Sequence, residues 1–200
     1  MTPPTLLLLA GPNGAGKSTF ARHGLRSFVD AGTFLNADDM ARDSRPDDVS
    51  AAAMEVARGM LLERRALLAG HVSFCVETTL ASRTLLNLVG AAKATGYRCS
   101  LIFLFTPDSR LNESRVKQRV MLGGHNIDTD TIRRRHARGL RLLPDFWDAC
   151  DEAIVFDALD RQPTEIARKD DDGIRIVRDR AWARLRRHVV AVGGRPLRDA

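Results

Sequence analysis

Leu6-Leu-Leu-Leu-Ala-Gly-Pro-Asn-Gly-Ala-Gly-Lys-Ser-Thr19 is an apolar run that breaks into glycines and closes on Lys-Ser-Thr, and its reading decides the fold. Gly11, Gly16, Lys17 and Ser18 keep the G-x-x-x-x-G-K-[ST] spacing of a phosphate-binding loop. The context matches, because Leu6 to Ala10 predicts a buried strand and Ser18 to Leu25 can open a helix. Glycines allow the backbone to bend close to phosphates, so that successive N–H groups and the positive end of the helix converge on the anion. Gly11, Pro12, Asn13, Gly14, Ala15, Gly16, Lys17, Ser18 and Thr19 therefore form the candidate cradle of a nucleoside triphosphate. Lys17 is placed to reach the β- and γ-phosphates, and the Ser18 hydroxyl to hold Mg²⁺. ATP or GTP with Mg²⁺ are the expected cofactors.

Around that loop the composition is that of an ordinary globular chain. Its 200 residues suffice for one α/β domain, with 44% hydrophobic and 28% charged residues. The net charge of +6 and the pI near 9.9 suit an anionic small substrate or nucleic acid, and equally an arginine-rich solvated surface. Cys75, Cys99 and Cys150 lie in or beside apolar runs without metal-ligand spacing, as core thiols of a reducing compartment do. The apolar run at the start is far shorter than the roughly 20 residues of a membrane span and lacks a basic flank, so the expectation is a cytoplasmic protein with no membrane partner.

Strand and helix patterns alternate along the chain, which predicts an α/β fold: a parallel sheet flanked by helices on both faces. Strands are expected at Gly32–Asn36, His71–Val76, Ser100–Phe105, Ala153–Phe156 and Ile174–Val177, and helices over Val49–Ala69, from Ser82, over Asp108–Leu122 and over Arg180–Val190. The Asp108–Leu122 helix and a second, arginine-rich one flank Gly123-Gly124-His125, which suggests a basic helical lid over about residues 108–142. Residues 160–172, rich in charge, read as a surface loop. Residues 1–160 are read as a kinase domain of the phosphate-binding-loop type, and residues 161–200 as a loop, strand and helix completing it.

Phosphoryl transfer also needs a carboxylate for the acceptor's proton and cations for the moving charge. Asp38 is the candidate base, since neighbours leaving a strand point to opposite sides and Asn36 shares its side, while Asp39 is placed to cap a helix. Glu77 ends an apolar strand, where it can bind a substrate hydroxyl or a water of the Mg²⁺ shell, and Thr79 points the same way. Arg83 can contact an anionic substrate or merely face solvent. Arg115 and Arg119, four apart on one helical face, can both aim at the triphosphate and either can serve as an arginine finger. Arg133 to Arg135 read as lid cations or as a solvated face. His125 reads as a hinge contact or a ligand, and Trp147 as core or lid anchor.

AGPNGAGKST at 10–19, NADDMAR at 36–42, SFCVETTLASR at 73–83, Gly96-Tyr97 and RVKQRVMLGGH at 115–125 together resemble the zeta-toxin family of phosphate-binding-loop kinases, over residues 5 to about 157. The resemblance implies transfer of the γ-phosphate of ATP or GTP to the 3′-hydroxyl of the amino sugar in UDP-N-acetylglucosamine or a related nucleotide sugar. It implies Asp38 as catalytic base, Glu77 and Thr79 at the substrate, and Lys17, Ser18 and the lid arginines Arg115 and Arg119 at the triphosphate; Asn36 and Arg83 join the substrate-side candidates by their position in the chain. It further implies a toxin held by an antitoxin, here a separate protein because no antitoxin-like bundle is recognisable in the chain. The sequence departs from the family at Asn36, where an acid is usual, and at Asp157-Ala158-Leu159, where Asp-Asn-Ser is frequent. Two alternatives stand beside this reading: a kinase on another small molecule or an RNA end, and a nucleotide-dependent nucleic-acid-binding module. The second is disfavoured by 6% aromatic residues, too few for base-stacking platforms.

Overall fold

A computed structural model describes residues 2–26, 33–36, 53–124, 126–160 and 162–199, and all that follows concerns these. Seven strands form one sheet in the order β2-β3-β1-β4-β5-β6-β7. They are β1 (Thr5–Ala10), β2 (Phe34–Leu35), β3 (Phe74–Thr78), β4 (Arg98–Phe105), β5 (Glu152–Asp157), β6 (Thr164–Asp170) and β7 (Gly173–Ile176). The first five are parallel, and β6 and β7 continue the sheet antiparallel. The helices, numbered along the described chain, are α1 (Lys17–Gly24), α2 (Ala53–Ala69), α3 (Thr84–Ala94), α4 (Ser109–Met121), α5 (Thr129–Ala149) and α6 (Asp179–Ala191).

The unbroken leucines of β1 are explained by burial on both faces, as a parallel sheet between two helical layers requires. Leu6, Leu8 and Ala10 enter the larger core, shared with Phe74, Phe103, Phe105, Phe146 and Trp147, whereas Leu7 and Leu9 meet Ala21 and Leu25 beyond the other face. Each of the fully buried phenylalanines contributes about 1.5–3 kcal/mol by leaving water. Trp147 lies 5.6 Å, ring to ring, from Trp182 of α6, so α5 is held in the core at its C-terminal half.

Two expectations need correction. The charged segment 160–172 is largely strand: Ile166 and Ala167 are fully buried, β6 pairs with β5 through a register shift at Val155/Phe156, and the half-buried Lys169 carries its ammonium to the Trp147 and Cys150 carbonyls. The third strand starts at Phe74 rather than His71, because His71 takes a left-handed conformation (φ 51°) in the turn that ends α2. In the basic pair of helices, Asp108 caps α4 and Asp128 caps α5 by accepting main-chain N–H groups. Both helices are anchored: Asn112 and Val116 of α4 and Ile132, His136 and Leu140 of α5 are buried. His125 lies outside the described residues.

Candidate active site: the carboxyl ends of β1, β2 and β3

Strand register assembles the site. Leu9 and Ala10 of β1 pair with Glu77 and Thr78 of β3, and Leu35 of β2 pairs with Val76, so the glycine loop after Ala10 leaves the sheet beside Glu77, with Asn36 on the far side. Carboxyl ends of strands are where open α/β sheets carry their ligands. The loop then turns through left-handed glycines at Gly14 (φ 77°) and Gly16 (φ 93°). A Cβ on Gly14 would stand 2.7 Å from the Asn112 carbonyl oxygen of α4, and one on Gly11 2.6 Å from that of Leu104, so neither position admits a side chain without displacing backbone.

Lys17 is 7% exposed, and its Nζ donates to the Gly11 and Pro12 carbonyls at 3.0 and 3.1 Å. The same ammonium lies 3.8 Å from Glu77 Oε1. Glu77 Oε2 accepts from the Ser18 hydroxyl at 3.1 Å and from Asn36 Nδ2 at 3.2 Å. Of the two roles open to Glu77, this geometry favours the one at the phosphate and metal end. Ser18 and Glu77 offer two hard oxygens on adjoining elements, a donor set that fits a Mg²⁺ completing its shell with water and phosphate oxygens. Among the described residues there is no cluster of three or more acidic, histidine or cysteine ligands that would bind a metal unaided.

Two cavities flank the loop. One, of about 370 Å³, is bounded by Lys17, Asn36, Glu77 and Thr79, with Arg64 of α2 and Arg135 of α5 on its outer side. The other, of about 800 Å³, runs along Gly14–Gly16 and Thr19, with Phe20 and Pro163 as apolar walls and Arg115 and Gln118 above. The remaining sequence candidates are dispersed. Arg115 Nη1 and Nη2 donate to the Ala158 and Leu159 carbonyls at 2.8 and 2.6 Å, fastening α4 to the chain after β5 at the rim of the larger cavity. Arg119 is exposed in the last turn of α4, where the Gly124 N–H bonds back to its carbonyl. The Arg83 side chain is 74% exposed, pairs with Asp145 at 3.1 Å and lines neither cavity. Arg133 forms a two-pronged pair with Glu113 that ties α5 to α4, and Arg134 is exposed, leaving Arg135 as the member of that run at a cavity. Trp147 is core. Asp38 and Asp39 lie outside the described residues.

Arg64 was not singled out from sequence, although Met60 and Arg64, four apart, share a helical face that a site at the strand ends would meet. Behind the loop, a buried polar set links three elements. Thr106 Oγ1 donates to Asn112 Oδ1 at 2.8 Å, and His136 Nε2 lies 2.9 Å from the Thr106 carbonyl. Burial holds the His136 pKa below its ordinary value.

A mostly parallel seven-stranded sheet between helical layers, with this loop after β1, is the P-loop kinase fold. The chain belongs to the AAA domain family, whose model matches residues 6–142. It is 27% identical over 132 residues to an uncharacterized protein of Haemophilus influenzae, covering 65% of this chain and 91% of that one. Among solved structures it is similar to a chain of the AvrRxo1-ORF1:-ORF2 complex with ATP, at TM-score 0.76 and 14% identity over 91% of this chain. It spans 63% of that chain, less than two thirds of its length. It is also similar to a chain of the PezAT chromosomal toxin-antitoxin system of Streptococcus pneumoniae, at TM-score 0.59 and 17% identity over 81% of this chain and 70% of that one. A putative kinase of Chloroflexus aurantiacus superposes at TM-score 0.51 and 14% identity, over 66% of this chain and 76% of that one. At these identities the likeness is one of fold. No helix among the described residues is long and apolar enough to cross a membrane.

Proposed function

We propose that this chain is a phosphotransferase that moves the γ-phosphate of ATP or GTP onto a hydroxyl of a small acceptor. The observation that carries the reading is the Lys17–Glu77–Ser18 cluster, set where the glycine loop separates the two cavities. The larger cavity, with apolar walls along the loop backbone, suits the nucleoside of the donor. The smaller, beyond Lys17, suits the acceptor. A donor triphosphate laid along the loop then has its terminal group at Lys17.

In this arrangement Lys17 meets the charge of the transferring group, and the loop N–H groups and the start of α1 hold the phosphates in line. Ser18 and Glu77 would hold Mg²⁺, which when bound neutralises phosphate charge. Asp38, two residues beyond Asn36, takes the acceptor hydroxyl's proton as that oxygen bonds to the γ-phosphorus, and the bond from phosphorus to the β–γ bridging oxygen breaks to release the nucleoside diphosphate. Asn36 orients Glu77, and Thr79 faces the acceptor. Arg115 borders the donor side.

For the acceptor, the motifs shared with zeta toxins favour the sugar 3′-hydroxyl of UDP-N-acetylglucosamine or a related nucleotide sugar. The similarity to PezAT, which is a toxin-antitoxin system, and to the two-component AvrRxo1 complex, solved with ATP, supports a toxin restrained by a separate antitoxin. Three free, buried cysteines suit a reducing cytoplasm. The test is transfer of label from γ-labelled ATP or GTP to UDP-N-acetylglucosamine, and to a metabolite extract, with Mg²⁺ present. Lys17→Ala should abolish triphosphate binding, and Asp38→Ala should keep binding while losing transfer. Transfer that persists in Asp38→Ala overturns the base assignment, and no transfer to any acceptor overturns the phosphotransferase.

A further inference from the structure

The described lining of the smaller cavity carries more positive than negative charge. Among the described residues, Lys17, Arg64 and Arg135 border it and Glu77 is the one carboxylate, already engaged by Ser18, Asn36 and Lys17. Arg64 and Arg135 come from different helices, and among the described residues neither makes an ion pair. The Nε of Arg64 is buried with no hydrogen-bond partner, and burial pushes its guanidinium pKa down. A buried Nε–H without a partner is costly, and a phosphate oxygen is the partner whose geometry the guanidinium fork best fits. The cavity is too large for one transferred phosphoryl group alone: 370 Å³ holds about a dozen waters at roughly 30 Å³ each.

Resting on the phosphotransferase reading above, we propose that Arg64 and Arg135 form a two-helix clamp for a phosphate or diphosphate group carried by the acceptor itself. The clamp makes the enzyme selective for phosphorylated acceptors over neutral ones. An acceptor gripped there turns its free hydroxyl toward Lys17 and the donor's terminal phosphate. Neutral sugars or nucleosides of the same shape lack that grip. Arg64 and Arg135 are thus specificity residues of the acceptor side, separate from the cations that serve the donor.

The experiment is a calorimetric titration of pyrophosphate into wild type, Arg64→Gln, Arg135→Gln and the double variant. Each protein is titrated with and without saturating Mg²⁺ and the non-hydrolysable analogue AMPPNP, which fills the donor site. The expected result is one pyrophosphate site in AMPPNP-loaded wild type, weakened about tenfold or more in each single variant and lost in the double. AMPPNP affinity should stay within about twofold, with Arg64→Lys and Arg135→Lys retaining part of the binding. Circular dichroism and thermal unfolding matching wild type establish that a loss is local. Absence of the site in loaded wild type, equal binding by all variants, or a parallel tenfold loss of AMPPNP overturns the clamp. A protein that transfers phosphate from ATP but lacks the arginine-dependent site refutes the clamp alone. One that has the site but never binds AMPPNP refutes the phosphotransferase reading instead.

Discussion

Gly139 of α5 offers the sharpest test of how the site is held. A Cβ added there would stand 2.4 Å from the Thr79 carbonyl oxygen, 1.0 Å short of the 3.4 Å at which ordinary contact begins. The oxygen belongs to backbone, so Gly139→Ala must move α5 or the segment after β3. Overpacking of this kind costs about 1–3 kcal/mol, offset by the roughly 1 kcal/mol that alanine gains over glycine inside a helix. Gly90 of α3 supplies the control, because it is exposed and a Cβ there meets nothing within 4 Å, so Gly90→Ala should gain about 0.5–1 kcal/mol. The helix-propensity gain is common to both, and the difference between the variants, about 1–3 kcal/mol, isolates the close contact. It should appear in thermal unfolding as about 2–4 °C per kcal/mol, with Gly90→Ala higher and Gly139→Ala lower. Activity should separate them further, since Thr79 lines the smaller cavity and Arg135 lies one turn before Gly139 on the same face. A displacement near 1 Å there should lower kcat/KM by about 10²-fold, while Gly90→Ala leaves it unchanged. Two variants stabilised alike, with equal activity, would refute the argument.

The cysteines and His136 give further checks. Cys75, Cys99 and Cys150 are buried, and burial pushes their thiols up to about 12, 11 and 12, so none should react with an alkylating reagent near pH 8 in the folded protein, and all three should after denaturation. His136, with its folded pKa below the unfolded value of about 6.5, binds protons more readily when unfolded. Its contribution to stability is therefore complete above about pH 6.5 and lost as the pH falls from there toward the folded pKa. Urea unfolding at about pH 7.5 and 5.5 should show a loss on acidification that is smaller in His136→Asn, and an equal loss in both would count against this account.

The sequence carried the fold where local pattern and burial agree. The glycine loop, the β1 leucines and the strand Ser100–Phe105 are legible because one residue type serves one geometric need. β6 was hidden because its charged residues are satisfied by the fold: Glu165 pairs with Arg168, and Lys169 runs back to the end of α5. The chemistry was legible in kind and less so in assignment. Glu77 reads equally as a substrate or a metal ligand in sequence, and only the β1–β3 register reveals its contact with Ser18. Adjacent arginines look alike in sequence, yet Arg133 pairs with Glu113, Arg134 faces solvent and Arg135 borders a cavity. Only tertiary packing separates them. Arg64 is one of five charged residues on an alanine- and leucine-rich helix, and nothing distinguishes it from Arg58 or Arg65 until the helix is docked.

The antiparallel addition to the sheet bears on how this protein can be divided. The family match closes at residue 142, inside α5, whereas β4 needs β5, and β5 needs β6, to satisfy their main-chain hydrogen bonds. A recombinant fragment trimmed to the matched span would leave Leu101–Phe105 as a bare, greasy margin, the kind of template on which chains polymerise. The unit that behaves as a module in solution is set by where the last strand is sealed, beyond the stretch by which its kinship is recognised.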